Sequence, residues 1–395
     1  MNVPAFTGGR RLAAISGLAG AAGLLLTLAA ALFLDARRAL FSYLVAYCWG
    51  LGIVLGALIL LAVFHAASAK WPVVLRRFVE SVPLSLPLYV LGFVPIALGA
   101  GRLFPWLGDL GALPRETREA LVHRAPYLNL RAFLLRAAVY FFCWILISHL
   151  LRAWSVRQDT EGGTVLTRWQ RRLGAGALPL LALTMSFASF DWMMSLDAKF
   201  YSTIFGLYWF AGSFMGAFAV IAVAGAATRG DRTQFGGWMT IDHFHSVGKF
   251  MLAFVAFWAY MAFSQLLLVW IANIPEEVPW YVTRIYHGWA PVFALLAIGK
   301  FGVPFFLLLS RDLKRNPALL AGLAGWLLVV QWVDVYWVVM PQLFPEAPRF
   351  SAVDVAALVG VAGATVAFTV WRMRGVAPVP VNDPYLHDSL AYEPR

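Results

Sequence analysis

Apolar residues of this chain are gathered in ten long runs, and polar residues are gathered in the connections between them. A helix needs about 20 mostly apolar residues to cross a hydrocarbon core about 30 Å thick. The pattern therefore predicts an all-α integral membrane fold with about ten transmembrane helices. The predicted spans are Leu12–Leu34, Phe41–Phe64, Pro83–Ala100, Ala132–Leu151, Gly174–Met194, Tyr201–Ala227, Gly248–Ile271, Trp289–Ser310, Ala318–Met340 and Val353–Trp371.

The runs indicate one polytopic membrane domain over residues 1–372, followed by an extended, proline-rich tail over residues 373–395. The first run follows Arg10 and Arg11, as the apolar region of a signal peptide would. It continues to Leu34, beyond the roughly 7–15 apolar residues of a signal, so we expect a retained first span. Three prolines in the third run predict a kink, because each proline removes a backbone hydrogen bond.

Lys and Arg residues are about twice as many in one set of connections as in the other. The richer set contains the N-terminus, the connections after the second, fourth, sixth and eighth spans, and the tail. Connections rich in Lys and Arg stay in the cytoplasm. We therefore expect both termini in the cytoplasm, with Asp191 and Asp197 near the periplasmic side.

Composition agrees with a membrane protein, since 61% of the residues are hydrophobic and only 13% are charged. A soluble domain has about 25% charged residues. The formal charge of +11 could indicate nucleic acid. The basic residues, however, lie in short loops between apolar spans, which is typical of membrane orientation. We expect the lipid bilayer, and not nucleic acid, as a partner.

Cysteine usage limits the redox chemistry of the chain. Cys48 and Cys143 both lie inside apolar runs, and no four-cysteine set or CxxCH motif is present. We therefore expect no iron–sulfur cluster and no covalent haem on this chain. His65 and His149 lie at one predicted level of the membrane, which leaves a b-type haem as an alternative.

A metal site is a weaker alternative. Asp242, His243 and His245 are close in sequence, but three ligands within four residues of a predicted loop need a fourth ligand from elsewhere. We expect no metal on this chain.

Polar residues inside or beside the predicted spans form a rough column across the membrane. Polar groups at such positions are costly and usually functional. Lys300 is near the middle of the eighth span, and a buried lysine can accept and release a proton near neutral pH. The column predicts a proton path, whereas the structural alternative is that Lys300 pairs with one carboxylate. The candidate residues are Asp191, Asp197, Gln265, Lys300, Gln331, Asp334, Asp242, His243, His245 and Lys249.

Three segments carry a family resemblance over roughly residues 41–345. They read FASFDWMMSLDAKFYSTIFGLYWFAGSF, KFMLAFVAFWAYMAFSQLLLVWIANIPEEVPWY and WLLVVQWVDVYWVVMP. The chain resembles the F-type membrane subunits of bacterial alternative complex III, a branch of the polysulfide-reductase membrane-anchor (NrfD-like) family. The resemblance implies two four-helix bundles, formed by helices two to five and six to nine, with peripheral first and last helices.

The resemblance also implies a place in a respiratory complex of the bacterial inner membrane. Such a complex oxidises quinol, and periplasmic iron–sulfur and multihaem cytochrome c subunits carry the electrons to cytochrome c or to an oxidase. The remaining partner is a homologous membrane subunit, in which a histidine and an aspartate hold quinol. Asp191 matches that aspartate, but this chain has no matching histidine, which favours a proton-conducting or structural role over a quinone site.

Three hypotheses follow. The first is a non-catalytic subunit of a quinol-oxidising complex that contributes a transmembrane proton path. The second is a quinone-binding membrane anchor, with Asp191 as the quinone contact and quinone or quinol as the ligand. The third is a secondary transporter, which the kinked third span and Lys300 would allow.

Overall fold

The computed structural model describes residues 3–393, and all regular secondary structure in this range is helical. Ten of its helices are long and apolar enough to cross a membrane. The predicted all-α integral membrane fold is therefore confirmed, and the chain is a multi-pass membrane protein. Residues 1–2 and 394–395, at the ends of the predicted membrane domain and tail, lie outside the described range.

Each predicted apolar run corresponds to one spanning helix, and we number these helices α1–α10. Their bounds are α1 Arg10–Phe33, α2 Ala36–Ala66, α3 Val73–Leu98, α4 Leu130–Glu161, α5 Val165–Leu196, α6 Phe205–Ala227, α7 Ile241–Ala272, α8 Ala290–Leu309, α9 Pro317–Gln342 and α10 Ala352–Met373.

Several helices begin earlier than the hydrophobic pattern predicts. Helix α3 begins at Val73, ahead of its prolines, and passes through a 3₁₀ turn at Pro83–Ser85. Helix α7 already includes the segment 242–245, for which a loop was predicted. That prediction is wrong because Thr240 caps the helix: its side chain accepts a hydrogen bond from the backbone of His243, whose own side chain bonds back to Thr240.

The spanning helices pack as two rings of four. Helices α2–α5 form the first bundle and α6–α9 the second, and the bundles meet where α2 packs against α6 and α9. Helices α1 and α10 form a peripheral pair against α2. Glycines allow that pair its close approach: a Cβ added to Gly23 would lie 2.5 Å from the carbonyl oxygen of Ala356.

We name the two sides of the membrane domain by their residues. The outer side, which the sequence predicts to face the periplasm, contains Asp197, Glu276 and Gln342 around one pocket. The inner side contains the connection at Gly162–Gly163 and Thr240, where α7 begins.

The tail after α10 lies against the inner side. It has no regular secondary structure up to Tyr385 and then, unlike the predicted extended chain, forms a short helix at Leu386–Leu390. Asp383 forms a buried ion pair with Arg76, and Ser389 donates a hydrogen bond to the carbonyl oxygen of Trp71 at 2.6 Å. These contacts attach the tail to its own chain.

Candidate functional site

The first bundle holds a buried carboxylate near its outer side. Asp191 lies near the outer end of α5, in the last regular α-helical turn before the 3₁₀ turn. It is fully buried and accepts two hydrogen bonds from the guanidinium of Arg136, at 2.9 and 2.7 Å. Tyr140 donates a third, at 2.9 Å. The guanidinium also lies 3.8 Å from the ring centre of Tyr127. The sequence placed Arg136 inside a span but did not reveal its partner, which lies on the neighbouring helix.

Asp197 has a different environment, just beyond the 3₁₀ turn that ends α5. One of its carboxylate oxygens accepts the backbone N–H groups of Lys199 and Phe200, at 2.9 and 3.0 Å. The other accepts a hydrogen bond from the side chain of Gln342 at 2.9 Å. Asp197 therefore holds a turn and joins the outer ends of α5 and α9.

The second bundle holds a buried ion pair to which each of its four helices contributes. The ammonium of Lys300 on α8 lies 2.5 Å from an oxygen of Asp334 on α9, and both residues are buried. Tyr208 on α6 donates to the other oxygen of Asp334. Trp258 on α7 donates to the first oxygen at 3.2 Å, and its ring lies 4.0 Å from the ammonium.

A π-helical segment, Leu296–Gly302, gives Lys300 its direction. Such segments are rare and often mark functional sites. Gly299 lies inside this segment, Gly302 ends it and Pro304 follows. The glycines lower the cost of the irregular backbone, and the proline has no N–H to donate.

The structural alternative for Lys300 is present in the molecule, with Asp334 as the carboxylate partner. The same contact also joins groups that can exchange protons, because an ammonium donates directly to a carboxylate inside the membrane domain. The hydroxyl of Tyr208 is a third group through which a proton could pass.

The two bundles place their charges on corresponding helices. The third helix of each bundle supplies a cation, Arg136 or Lys300, and the fourth supplies a carboxylate, Asp191 or Asp334. Asp191 is one residue before the end of its regular α-helix at Trp192, whereas Asp334 is five residues before the end of its own at Val339, so the two carboxylates differ in position along the fourth helices.

Further polar groups lie between Asp334 and the inner side. Gln331, one turn earlier on α9, is buried, and its side-chain oxygen finds no hydrogen-bond partner among residues 3–393. The same holds for the hydroxyl of Ser213 and the indole nitrogen of Trp209, both on α6. Buried water is the usual partner of such groups. Gln265 lies nearer the outer side, where it accepts a hydrogen bond from Ser202 at 3.4 Å.

The four inner candidates are not brought together with Lys300. His243 accepts at one ring nitrogen from the backbone of Thr240 and contacts the carbonyl oxygen of Trp71 at 3.1 Å with the other. Asp242 pairs with a basic side chain on the segment after α8 at 2.6 Å. His245 and Lys249 follow on α7, and Lys249 lies nine residues, or about 13 Å along the helix, from Trp258.

The two histidines of the haem alternative also differ in their surroundings. His65 is buried at the inner end of α2, and its Nε2 finds no partner among the described residues. His149 is half-buried on α4, with its Nδ1 2.9 Å from the carbonyl oxygen of Ile145 in the same helix.

Sequence reasoning missed a buried ionic network at the inner side. Glu80 on α3 is fully buried and accepts from Ser155 at 2.7 Å and from Arg152 at 3.2 Å. The network contains three cations and three carboxylates, so its charges balance. Its members are Arg76, Arg77, Arg152, Glu80, Asp159 and Asp383. Arg76, Arg77 and Glu80 precede the apolar run of α3, so the hydrophobic pattern predicted a loop at these positions.

Arg284 is another buried cation that the sequence did not reveal. It lies in the short helix Val278–Ile285 at the outer side, 3.7 Å from the ring centre of Trp280, and donates to the carbonyl oxygen of Val338 at 2.7 Å. Burial lowers the pKa of Arg284 to about 9, so it remains a cation at neutral pH. It fixes this helix against the outer end of α9.

A cavity of about 500 Å³ adjoins the Lys300–Asp334 pair. Its walls are mostly aromatic and include Tyr208 and Trp258, the two residues that donate to Asp334. Gln265 and Tyr281 add an amide and a phenol. The exposed Tyr260 lies on the lipid-facing surface of α7 beside the cavity. An apolar pocket with a few polar groups is typical of a small-molecule site.

Comparison of the sequence with models of known protein families and with curated proteins finds no match. The function must therefore be inferred from the residues and their geometry.

Proposed function

We propose that this chain is a membrane subunit of a quinol:cytochrome c, or other quinol:acceptor, oxidoreductase of the alternative complex III type. In this proposal it contributes a transmembrane proton path and catalyses no reaction alone. A homologous quinone-binding membrane subunit and periplasmic iron–sulfur and multihaem cytochrome c subunits supply the redox chemistry. The location is the bacterial inner membrane, with both termini in the cytoplasm.

The observation that carries the proposal is the buried Lys300–Asp334 pair, with a nitrogen–oxygen distance of 2.5 Å. Ionisable residues inside a membrane domain are costly and commonly belong to ion or proton pathways. The unpartnered polar atoms of Gln331 and Ser213 extend the polar groups toward the inner side. The resemblance of the three sequence segments supplies the identity of the complex.

The test compares proton release with quinol oxidation in the purified complex, reconstituted in liposomes. Replacing both partners, Lys300→Met with Asp334→Asn, removes the titrating groups without leaving a lone charge. We expect this variant to assemble with full haem content and to oxidise quinol when uncoupled, with fewer protons released per electron. The matched control is Arg157→Gln with Glu161→Gln, an exposed pair on α4. Unchanged proton stoichiometry in the Lys300/Asp334 variant would refute the path.

A quinone-binding anchor remains the second candidate, and the aromatic cavity is the observation that favours it. Ala262 lines the cavity, and Ala262→Phe would fill part of it. Ala253→Phe is the control, because Ala253 lies on the same helix, is exposed and does not line the cavity. A higher KM for quinol with Ala262→Phe alone, at unchanged proton stoichiometry, would support this candidate. The same result with Asp191→Asn would place quinone in the first bundle.

A further inference from the structure

Four cationic side chains are clustered at the inner ends of α7 and α8. Lys249 lies on α7, and the others lie on the short helix Arg311–Arg315, which packs against α7. Contact is close, since a Cβ added to Gly248 would lie 2.6 Å from Cγ of Lys314. His245 lies in the field of all four cations, which are Lys249, Arg311, Lys314 and Arg315.

The chain balances this positive charge only in part, since the two nearby carboxylates, Asp242 and Asp312, are outnumbered by the four cations. Arg315 pairs with Asp242 at 2.6 Å, and the ammonium of Lys314 donates to a carbonyl oxygen of α8 at 2.6 Å. Lys249 and Arg311 are exposed and form no ion pair with residues 3–393. Burial and, after it, the neighbouring Lys249 lower the pKa of Lys314.

The position of the cluster indicates which kind of group would neutralise its remaining positive charge. Helix α8 ends at Leu309 and the apolar span predicted within α7 begins at Gly248, so the cluster is expected where two spanning helices leave the hydrocarbon core. Phosphate groups of lipids occupy this level of a bilayer. Basic pockets between spanning helices are known to bind anionic headgroups. A phosphate oxygen would also receive strong, charge-assisted hydrogen bonds from both Lys and Arg.

We propose that Lys249 and Arg311 bind the phosphate of an anionic lipid headgroup, with Lys314 and Arg315 supplying additional positive potential from behind. The site is separate from the Lys300–Asp334 pair. It depends on the position of the cluster in the membrane and not on the redox role proposed above, so either proposal can fail alone.

The test titrates the full-length protein in uncharged detergent with phosphatidylglycerol and measures bound lipid by native mass spectrometry. Phosphatidylcholine with the same acyl chains is the lipid control. Each cation near a phosphate contributes about 1 kcal/mol, so Lys249→Gln with Arg311→Gln should weaken phosphatidylglycerol binding about 30-fold. Lys249→Arg with Arg311→Lys keeps both charges and should bind within about threefold of the wild type.

The matched control is Arg168→Gln with Arg171→Gln, which removes two exposed cations from the inner end of α5 that form no ion pair within residues 3–393. It should change the affinity less than threefold. An equal loss in this control would show that only general surface charge attracts the lipid, and would overturn the site. So would equal wild-type affinity for the two lipids. Displacement of phosphatidylglycerol by millimolar inorganic phosphate would assign the site to free phosphate and overturn the lipid assignment.

Discussion

Removal of Lys300 alone should cost more stability than removal of both partners of the Lys300–Asp334 pair. Lys300→Met keeps an unbranched apolar stem but leaves the carboxylate of Asp334 buried without its cation. Two hydrogen bonds, from Tyr208 and Trp258, remain on that carboxylate. Breaking a buried pair in this way typically costs about 3–5 kcal/mol, and we expect Lys300→Met to fall in this range.

Asp334→Asn should restore part of the stability that Lys300→Met removes. Asp334→Asn alone leaves Lys300 unpaired, although a neutral amine could form in its place, so we expect a smaller loss of about 2 kcal/mol. In the Lys300→Met background no buried cation is left, and Asp334→Asn removes the lone charge. There it should restore at least about 2 kcal/mol, because neutral replacements of buried ion pairs are often tolerated.

Equilibrium unfolding in mixed micelles of increasing SDS content, followed by circular dichroism, would measure the four free energies of this cycle. The exposed Arg157–Glu161 pair is the matched control, because its side chains are 56% and 50% exposed. Each single change there should remain within about 0.5 kcal/mol of the wild type. If Asp334→Asn destabilises the Lys300→Met protein as much as it destabilises the wild type, the two side chains do not form the pair described.

Three further predictions concern orientation and the other contacts. In a background without the native cysteines, an impermeant thiol reagent should label Glu276→Cys but not Gly163→Cys in intact cells, and the reverse would invert the orientation. Arg136→Met should lower the SDS unfolding free energy by about 3 kcal/mol and Arg136→Lys by less; equal losses would show that the charge opposite Asp191 is unimportant. Truncation after Gly375 removes Asp383, one of the three carboxylates of the inner network, so the melting temperature should fall when it is measured by fluorescence-detected size exclusion. An unchanged value would contradict a stabilising tail.

The spans of this fold could be predicted because membrane crossing requires a long apolar run, and such runs are visible in one sequence. Helix ends were less predictable, because the helices continue beyond the hydrocarbon core of the membrane. Arg168 and Arg172, for example, were predicted in a loop but lie within α5. Their side chains reach solvent there, so the hydropathy pattern contains no signal for the first turns of the helix.

Which charged side chains pair with each other in the site was harder to predict from the sequence than how deep they lie in the membrane. The sequence located Lys300 and Asp334 in neighbouring spans, but which carboxylate meets the lysine depends on helix rotation, and the π-helical segment changes that rotation locally. The same limit applied to Arg136 and Asp191, which are 55 positions apart. Glu80 was missed for another reason: its partners Arg152 and Ser155 lie on α4, far away in the sequence, and its neighbourhood is not apolar.

The π-helical segment adjusts the register of α8 by about one residue. A π-helical turn holds more residues than an α-helical turn, so a regular α-helix over the same residues would turn the inner half of α8 by about 100° relative to its outer half. Loss of one residue, such as Ile298, would remove this surplus and let an unbroken α-helix present nearly the same faces to its neighbours. Sequences of relatives should therefore be aligned with a one-residue gap in this segment where they lack it, because an ungapped alignment would assign the place of Lys300 to a residue on another face of the helix.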